Sequence, residues 1–189
     1  MPKRIILASA SARRKQLLEQ VGLIFDIIPS NVDENDIIHN DPLKNAQAIA
    51  LYKAQNVAIK VKEGIVIGAD TQILVNGEVL GKPIDKRDAI NMLSKLSGKT
   101  HQVITGVAII DTQRGIKETW AETTLVKFRE LSIDEIIAYV ESGEYEGKAG
   151  AYGIQGRAAA FVEKIEGCYF NVVGLPLSRL MQRLRLLCK

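Results

Sequence analysis

The chain has 189 residues, 47% of them hydrophobic and 25% charged, which is ordinary for a soluble globular protein. The length suits one α/β domain spanning residues 1–189, or two small lobes that share a cleft. A formal net charge of +3 and 5% aromatic residues argue against a nucleic-acid partner, and two cysteines are too few for a disulfide framework. The apolar run at residues 5–8 is too short for a signal peptide or a membrane span, so we expect a cytoplasmic protein without a membrane partner.

The first half of the chain alternates predicted strands and helices. Residues 4–8 are typical of a buried strand and residues 25–28 of a second strand, and the helix between them begins near Ser11. A loop follows, and Asp41-Pro42 then starts a longer helix, with Asp at the N-cap and Pro in the first turn. Residues 65–69 are typical of an apolar strand, and residues 71–80 are typical of a hairpin whose turn is Asn76-Gly77.

The second half continues the alternation. Asp85 and Asp88 can each cap a helix that Gly98 ends, and two long strands follow at residues 102–111 and 116–128. Ser132 and Glu135 form a capping-box pattern at the start of another helix. A glycine-rich loop at residues 144–158, a strand near residues 160–165 and a final helix with one apolar face complete the chain. The pattern predicts a mixed α/β sheet with flanking helices.

The first candidate site lies where the first strand passes into the first helix. Ser9 and Ser11 supply hydroxyl groups there, and Arg13 and Arg14 supply guanidinium groups that can bind phosphate oxygens in pairs. Free N–H groups at a helix start also favour an anion. The segment is equally consistent with an ordinary cap and two solvated arginines.

A second group of candidates follows in the middle of the chain. Asp70 is expected to end an apolar strand, where a carboxylate can hold a metal or deprotonate water, although a turn-forming Asp is the alternative. Lys53 falls at the edge of an apolar helix face and either reaches a cleft or extends into solvent. Lys82, between Gly81 and Pro83, sits in a loop that the glycine and proline constrain, and it could reach the same cleft.

The glycine-rich loop contains Gln155, whose amide suits recognition of a pyrimidine edge; the alternative is a flexible surface loop. His39 and His101 lack metal-ligand spacing and are interpreted as incidental. A P-loop is excluded because the chain lacks the Gly-x-x-x-x-Gly-Lys-Ser/Thr pattern.

Taken together, these segments resemble the Maf (septum-formation) family of nucleotide pyrophosphatases from Leu7 to Leu177. The resemblance is carried by Ser9-x-Ser11-x-Arg13-Arg14, Val32-Asp33-Glu34, Lys53-Ala54, Gly68-Ala69-Asp70-Thr71, Gly81-Lys82-Pro83, Leu96-Ser97-Gly98, Lys148 to Gly156 and Val172 to Leu177. It implies a fold of two lobes around a central cleft, similar to that of ITPases, and metal-assisted hydrolysis between the α- and β-phosphates of a nucleoside triphosphate.

The resemblance also assigns roles. Asp70 would accept the proton and, with Glu34, would bind a divalent metal, expected to be Mg²⁺ or Mn²⁺. The phosphate ligands would be Arg14, Lys53 and Lys82, and the specificity positions would be Arg13, Thr71 and Gln155.

Thr71 and the Ala-Tyr-Gly-Ile-Gln-Gly run at residues 151–156 resemble the branch of the family that acts on dTTP and UTP. Ala12 and Arg157 depart from the family pattern, and Arg157 could alter nucleotide preference. The alternatives are the branch acting on 7-methyl-GTP and a nucleotide-binding regulator without hydrolysis. A monomer and a homodimer both remain open.

Overall fold

The computed structural model describes residues 3–188, which form a mixed α/β fold with a seven-stranded sheet and flanking helices. The strands are β1 (Ile5–Leu7), β2 (Asp26–Ile27), β3 (Ile65–Val75), β4 (Glu78–Leu80), β5 (Thr100–Asp111), β6 (Ile116–Phe128) and β7 (Val162–Glu166). The helices are α1 (Ala12–Gln20), α2 (Pro42–Ala58), α3 (Lys86–Leu96), α4 (Ile133–Glu141), α5 (Tyr169–Val173) and α6 (Leu177–Leu187). The predicted fold class is confirmed.

The sheet has the strand order β2-β1-β3-β5-β6-β7, with β4 paired to β3 off this path. β1 is parallel to both β2 and β3, whereas β3–β4 and β6–β7 are antiparallel. The sheet is therefore mixed, and its parallel part surrounds the strand that leads into the Ser9–Arg14 segment.

Four helices begin where the sequence predicts a cap. The side chains of Ser11, Asp41, Asp85 and Ser132 each accept a backbone N–H from the first turn of their helix. At α4 the capping box is complete, because Glu135 in turn accepts the backbone N–H of Ser132 at 3.0 Å. Such caps satisfy N–H groups that the helix itself cannot pair.

The hairpin turn at Asn76-Gly77 is also confirmed. Asn76 has a φ of 50° and Gly77 a φ of 82°, the left-handed pair that a type I′ turn needs. The strand before it differs from the prediction, since β3 runs without a break through residues 65–75. The β-branched residues Thr71, Ile73 and Val75 continue the strand into the hairpin, so Asp70 lies within β3 and not at its end.

The chain folds into two compact units. The first comprises residues 1–70, 105–122 and 174–189, and the second comprises residues 71–104 and 123–173. In the first unit, α2 packs on β1, β3 and β5, and small and branched side chains of all four elements form a core. This core includes Ile6, Ala50, Ala54, Val66 and Ala108. One domain with two lobes around a cleft stays a prediction.

Three further features differ from or add to the predicted elements. The glycine-rich loop contains two short 3-10 helices, at Ala149–Ala151 and Arg157–Phe161, and the second delays the start of β7 to Val162. Helix α5 has no counterpart among the predicted elements. Across residues 3–188, no helix is both long and apolar enough to cross a membrane.

Candidate active site

The segment between β1 and α1 holds its side chains by internal hydrogen bonds. The Ser11 hydroxyl accepts the backbone N–H of Arg14 at 3.4 Å, and the Ser9 hydroxyl accepts the N–H of Ser11 at 3.2 Å. Arg14 donates from Nη1 to the Ser9 hydroxyl at 3.3 Å and from Nε to the carbonyl of Gly174 at 3.0 Å. Arg14 is thus fixed in place at the helix start, which contradicts the interpretation as a solvated arginine.

Arg14 lies within electrostatic reach of the candidate acids. Burial lowers the pKa of Arg14 below its ordinary value; Asp70 acts to raise that pKa, Arg13 to lower it and Glu34 to raise it. The loss of hydration is therefore the larger effect, although two carboxylates partly offset it. Two predicted phosphate-binding arginines and two predicted acids belong to one charged cluster.

Lys53 joins the two acids of this cluster. Its Nζ lies 2.9 Å from Oδ1 of Asp70 and 2.9 Å from Oε1 of Glu34. The side chains of Lys53 and Asp70 are only 9% and 8% exposed, whereas that of Glu34 is 38% exposed. Lys53 therefore does not extend into solvent, and its buried charge is compensated by carboxylates on both sides.

Close packing of α2 on β3 produces this contact. A Cβ added at Gly68 would lie well inside van der Waals contact with the carbonyl oxygen of Ala50, and 2.9 Å from the Cβ of Ala54. Only a glycine permits that approach. Since Lys53 precedes Ala54 on the helix and Asp70 follows Gly68 by two residues, the same approach brings ammonium and carboxylate together.

Although Asp70 lies within β3, the neighbouring strand does end beside it. Leu7 of β1 pairs with Ile67, and the backbone N–H of Ala8 donates to the carbonyl of Ile67 at 2.8 Å. Beyond that bond, β1 turns into the Ser9–Arg14 segment while β3 continues to Asp70. The expected position at the carboxyl end of a parallel strand is thus realised at β1, not at β3.

The remaining predicted positions belong to the second unit. Thr71 is half-buried in β3, Lys82 is exposed after β4, and Gln155 is exposed within the glycine-rich loop. The backbone N–H of Gly150 donates to the carbonyl of Gly81 at 2.9 Å. The segment carrying Lys82 and the loop carrying Gln155 are therefore hydrogen-bonded neighbours.

Sequence reasoning missed the contacts that hold the glycine-rich loop. His101, interpreted as incidental, is 1% exposed, and its Nε2 lies 2.7 Å from the hydroxyl of Tyr152. Burial lowers the pKa of His101 to about 4, so the ring is neutral at physiological pH. A single histidine inside an apolar strand carries no spacing signal, and the partner lies 51 residues away in sequence.

The acids of the cluster are chemically suited to a divalent metal. Among residues 3–188, with the side chain of Asn35 left aside, no three His, Cys, Asp or Glu residues form a metal-binding group. Mg²⁺ commonly takes one or two protein carboxylates and completes its shell with water and substrate phosphates. Asp70 and Glu34, held on one ammonium, meet that requirement.

The chain is similar to known proteins along almost its whole length. A model described as "Maf-like protein" matches residues 4–187. A dTTP/UTP pyrophosphatase of Ruminiclostridium cellulolyticum is 52% identical over 179 residues, covering 94% of this chain and 93% of the relative. One from Carboxydothermus hydrogenoformans is 48% identical over 182 residues, covering 96% and 97%. Among solved structures, the Staphylococcus aureus Ham1 protein has a TM-score of 0.48 and 15% identity, covering 67% of this chain and 72% of its own.

Proposed function

We infer the activity from one premise: the chain belongs to the Maf family. It is a nucleoside triphosphate pyrophosphatase that hydrolyses dTTP and UTP to the monophosphate and diphosphate. Relatives that share about half of their residues with this chain are named dTTP/UTP pyrophosphatases. In the structure, this activity is supported above all by the buried Lys53, which holds Asp70 and Glu34 beside Arg14.

Asp70 is the group we propose as proton acceptor. A water molecule attacks phosphorus, the bond between the α- and β-phosphates breaks, and diphosphate leaves with the bonding electrons. The proton of the water passes to Asp70 as the bond between the water oxygen and phosphorus forms. When Asp70 becomes neutral, Lys53 keeps Glu34 as a counter-charge, so proton transfer does not leave a buried ammonium unpaired.

The cations neutralise the polyphosphate. Phosphoryl transfer depends on positioning and charge neutralisation more than on covalent chemistry. We propose that Arg14, at the start of α1, binds phosphate oxygens with the help of Ser9 and Ser11. Arg13, the predicted specificity position beside it, adds a second positive charge. The internal bonds of Arg14 fix its guanidinium before substrate arrives, which lowers the entropic cost of binding. We assign Lys82 to the same task.

We also propose Mg²⁺ or Mn²⁺ as cofactor, held by Asp70 and Glu34. Such an ion supplies Lewis-acid stabilisation of charge on the phosphates. Calorimetric titration with Mg²⁺ in the presence of a non-hydrolysable UTP analogue tests this. Glu34→Gln should weaken metal binding, whereas Glu19→Gln, in the exposed last turn of α1, should not. Equal metal affinity of both variants would contradict the assignment.

Base selection is assigned to Gln155 and Thr71. Tyr152 and Ile154 are buried and anchor the loop, while Gln155 is exposed and available to a ligand. An amide can pair with both a carbonyl and the ring N–H of uracil or thymine. A base that cannot reproduce those bonds leaves the amide unsatisfied, at a cost of about 1–3 kcal/mol.

The test measures kcat/KM for dTTP, UTP, CTP, GTP and 7-methyl-GTP by diphosphate release. We expect wild type to prefer dTTP and UTP, and Gln155→Ala to narrow the gap between UTP and GTP by roughly 5- to 150-fold. Preference for a guanine nucleotide would instead favour the 7-methyl-GTP branch. Binding without diphosphate release would favour a regulator.

We further propose a cytoplasmic location without a nucleic-acid partner. The free thiols Cys168 and Cys188 are typical of a reducing compartment. Light scattering distinguishes a monomer from a homodimer.

A further inference from the structure

The segment formed by residues 150–157, which carries Gln155, is fixed near its start by buried side chains. The hydroxyl of Tyr152 lies 2.7 Å from Nε2 of His101, and the ring of Phe128 packs edge-on against both, with centroids 4.8 Å and 5.0 Å away. The hydroxyl of Tyr139 accepts the backbone N–H of Gly153 at 3.4 Å. These contacts act before Gln155 in the chain, so the exposed residues around Gln155 need a further contact after it.

That other side is held by Glu144. Its Oε2 accepts the backbone N–H of Arg157 at 2.9 Å, and its Oε1 lies 3.3 Å from Nε of the same arginine. Glu144 follows α4, and its own N–H donates to the hydroxyl of Ser142 at 3.4 Å. Its side chain is 31% exposed, compared with 71% for Arg157, so the carboxylate is the more enclosed partner.

Gly156 makes room for this carboxylate. A Cβ added there would lie well inside van der Waals contact with Oε2 of Glu144 and 3.1 Å from its Cδ. The φ of Gly156 is −104°, which any residue can adopt. The backbone conformation does not call for glycine, but a methyl group at this position would occupy the space of the carboxylate and push it off the N–H of Arg157.

We propose that Glu144 is a positioning residue for base selection, which fixes the chain immediately after Gln155 by binding the backbone of Arg157. The proposal rests on the proposed role of Gln155. Glu144 also holds the exposed guanidinium of Arg157, the residue that departs from the family pattern, at a carboxylate. Glu144 acts through the segment and does not itself touch the nucleotide.

The first experiment compares Glu144→Ala with wild type and with Glu146→Ala, an exposed acid two residues later. The readout is the ratio of kcat/KM for UTP to that for GTP. Glu144→Ala should reduce this ratio about three- to tenfold, the effect of one lost hydrogen bond. Glu146→Ala should keep it. Glu144→Gln, which retains an acceptor oxygen for the N–H of Arg157, should restore most of the wild-type ratio.

The second experiment uses Gly156→Ala alone and combined with Glu144→Ala. The single variant should reproduce the reduced ratio of Glu144→Ala. The UTP-to-GTP ratio of the double variant should be no lower than that of either single variant, because the added methyl group then has no carboxylate to displace. Independent effects would multiply, so a double variant whose ratio falls by the product of the two would contradict the proposal.

Circular dichroism and thermal unfolding identify variants that fail to fold. An unchanged UTP-to-GTP ratio in Glu144→Ala, or a Glu144→Gln ratio as low as that of Glu144→Ala, overturns the proposal while leaving the proposed function intact. A wild-type protein that does not prefer pyrimidines overturns both.

Discussion

At the scale of single residues, the centre of the candidate site is a lysine between two acids. Nζ of Lys53 lies 2.9 Å from a carboxylate oxygen of Asp70 and 2.9 Å from one of Glu34. The side chains of Lys53 and Asp70 are both buried. Burying a single charge is costly. One cation between two carboxylates leaves one negative charge, which the nearby Arg14 can balance. The arrangement places the carboxylate of Asp70 in a mostly buried position with a cation directly beside it.

We expect Asp70→Asn to abolish turnover while the protein stays folded and still binds nucleotide. Asn keeps an oxygen that can accept the bond from Lys53, so the packing survives, but an amide does not accept the proton of water. Loss of a general base typically costs about 10²–10⁴ in rate. The measurement is kcat for dTTP at saturating metal.

Asp134→Asn is the matched control, because Asp134 is an exposed acid in the first turn of α4 and lies outside the cluster. It should retain wild-type kcat. A near-normal kcat in Asp70→Asn would remove Asp70 from the reaction and leave it a structural partner of Lys53.

The sequence could indicate these residues but not their arrangement. Periodicity places Lys53 at the edge of an apolar face and leaves both orientations open, because a helical wheel does not show what packs against that edge. The ion pair depends on Gly68, whose importance becomes visible only when α2 lies on β3. Similarly, nothing in the spacing of Glu144 and Arg157 indicates that they meet.

At the scale of elements, glycines set how closely α2 approaches the sheet. A Cβ at Gly106 of β5 would overlap the backbone carbonyl of Ala46, just as one at Gly68 of β3 would overlap that of Ala50. Ala46 and Ala50 are one helical turn apart and both are completely buried. The helix therefore rests on two strands by direct backbone contact, and this contact determines where Lys53 can reach.

We expect Gly68→Ala to lower the free energy of unfolding by about 3 kcal/mol or more, at the upper end of the range for overpacking, because backbone atoms must move. The helix would shift away from β3, so the activity should also fall. Urea denaturation gives the stability, and diphosphate release gives the activity.

Gly81→Ala is the control for stability, since its added methyl group would meet no atom within 4 Å in the described part of the chain. If Gly68→Ala had the same free energy of unfolding as Gly81→Ala, that result would contradict the close approach of α2 to β3.

Elements with local signals were predicted well, and those set by tertiary contacts were not. Caps such as Ser11 and Ser132 act within one turn, so the sequence around them suffices. Helix α5 is five residues of mostly β-branched and aromatic type, for which propensity alone favours a strand. The side chain of Asn171 in α5 donates to the carbonyl of Val103 and to the hydroxyl of Thr124, so distant residues determine its conformation.

At the scale of the whole molecule, three of the four boundaries between the compact units lie inside long strands. The boundaries at residues 70/71, 104/105 and 122/123 fall within β3, β5 and β6, and the fourth, at residues 173/174, follows α5. No run of glycine, proline or serine marks them, which explains why the sequence carries no sign of a linker. Asp70 is the last residue of its segment in the first unit, and Thr71 begins the second.

The stability of the whole molecule should depend on pH through His101. Burial lowers the pKa of His101 to about 4, from an ordinary value of 6.5. Between these values, the unfolded chain binds a proton that the folded protein does not, so protons favour unfolding and stability falls as pH falls. From pH 7 to pH 5, the expected loss is about 2 kcal/mol, obtained from the two pKa values by linkage.

Urea denaturation of wild type, His101→Gln and His39→Gln at pH 5, 6 and 7 measures this dependence. The pKa of Glu135, lowered to about 2 by its hydrogen bond to Arg129, affects stability only below about pH 4.5, outside this interval. His101→Gln is less stable at pH 7 because its packing is altered, but its stability should change less between pH 7 and pH 5 than that of wild type. His39→Gln, at the exposed histidine, controls for the substitution itself. If wild type and His101→Gln lost equal stability over this range, His101 would not be the group that couples protonation to unfolding, and another side chain would have to account for any acid sensitivity.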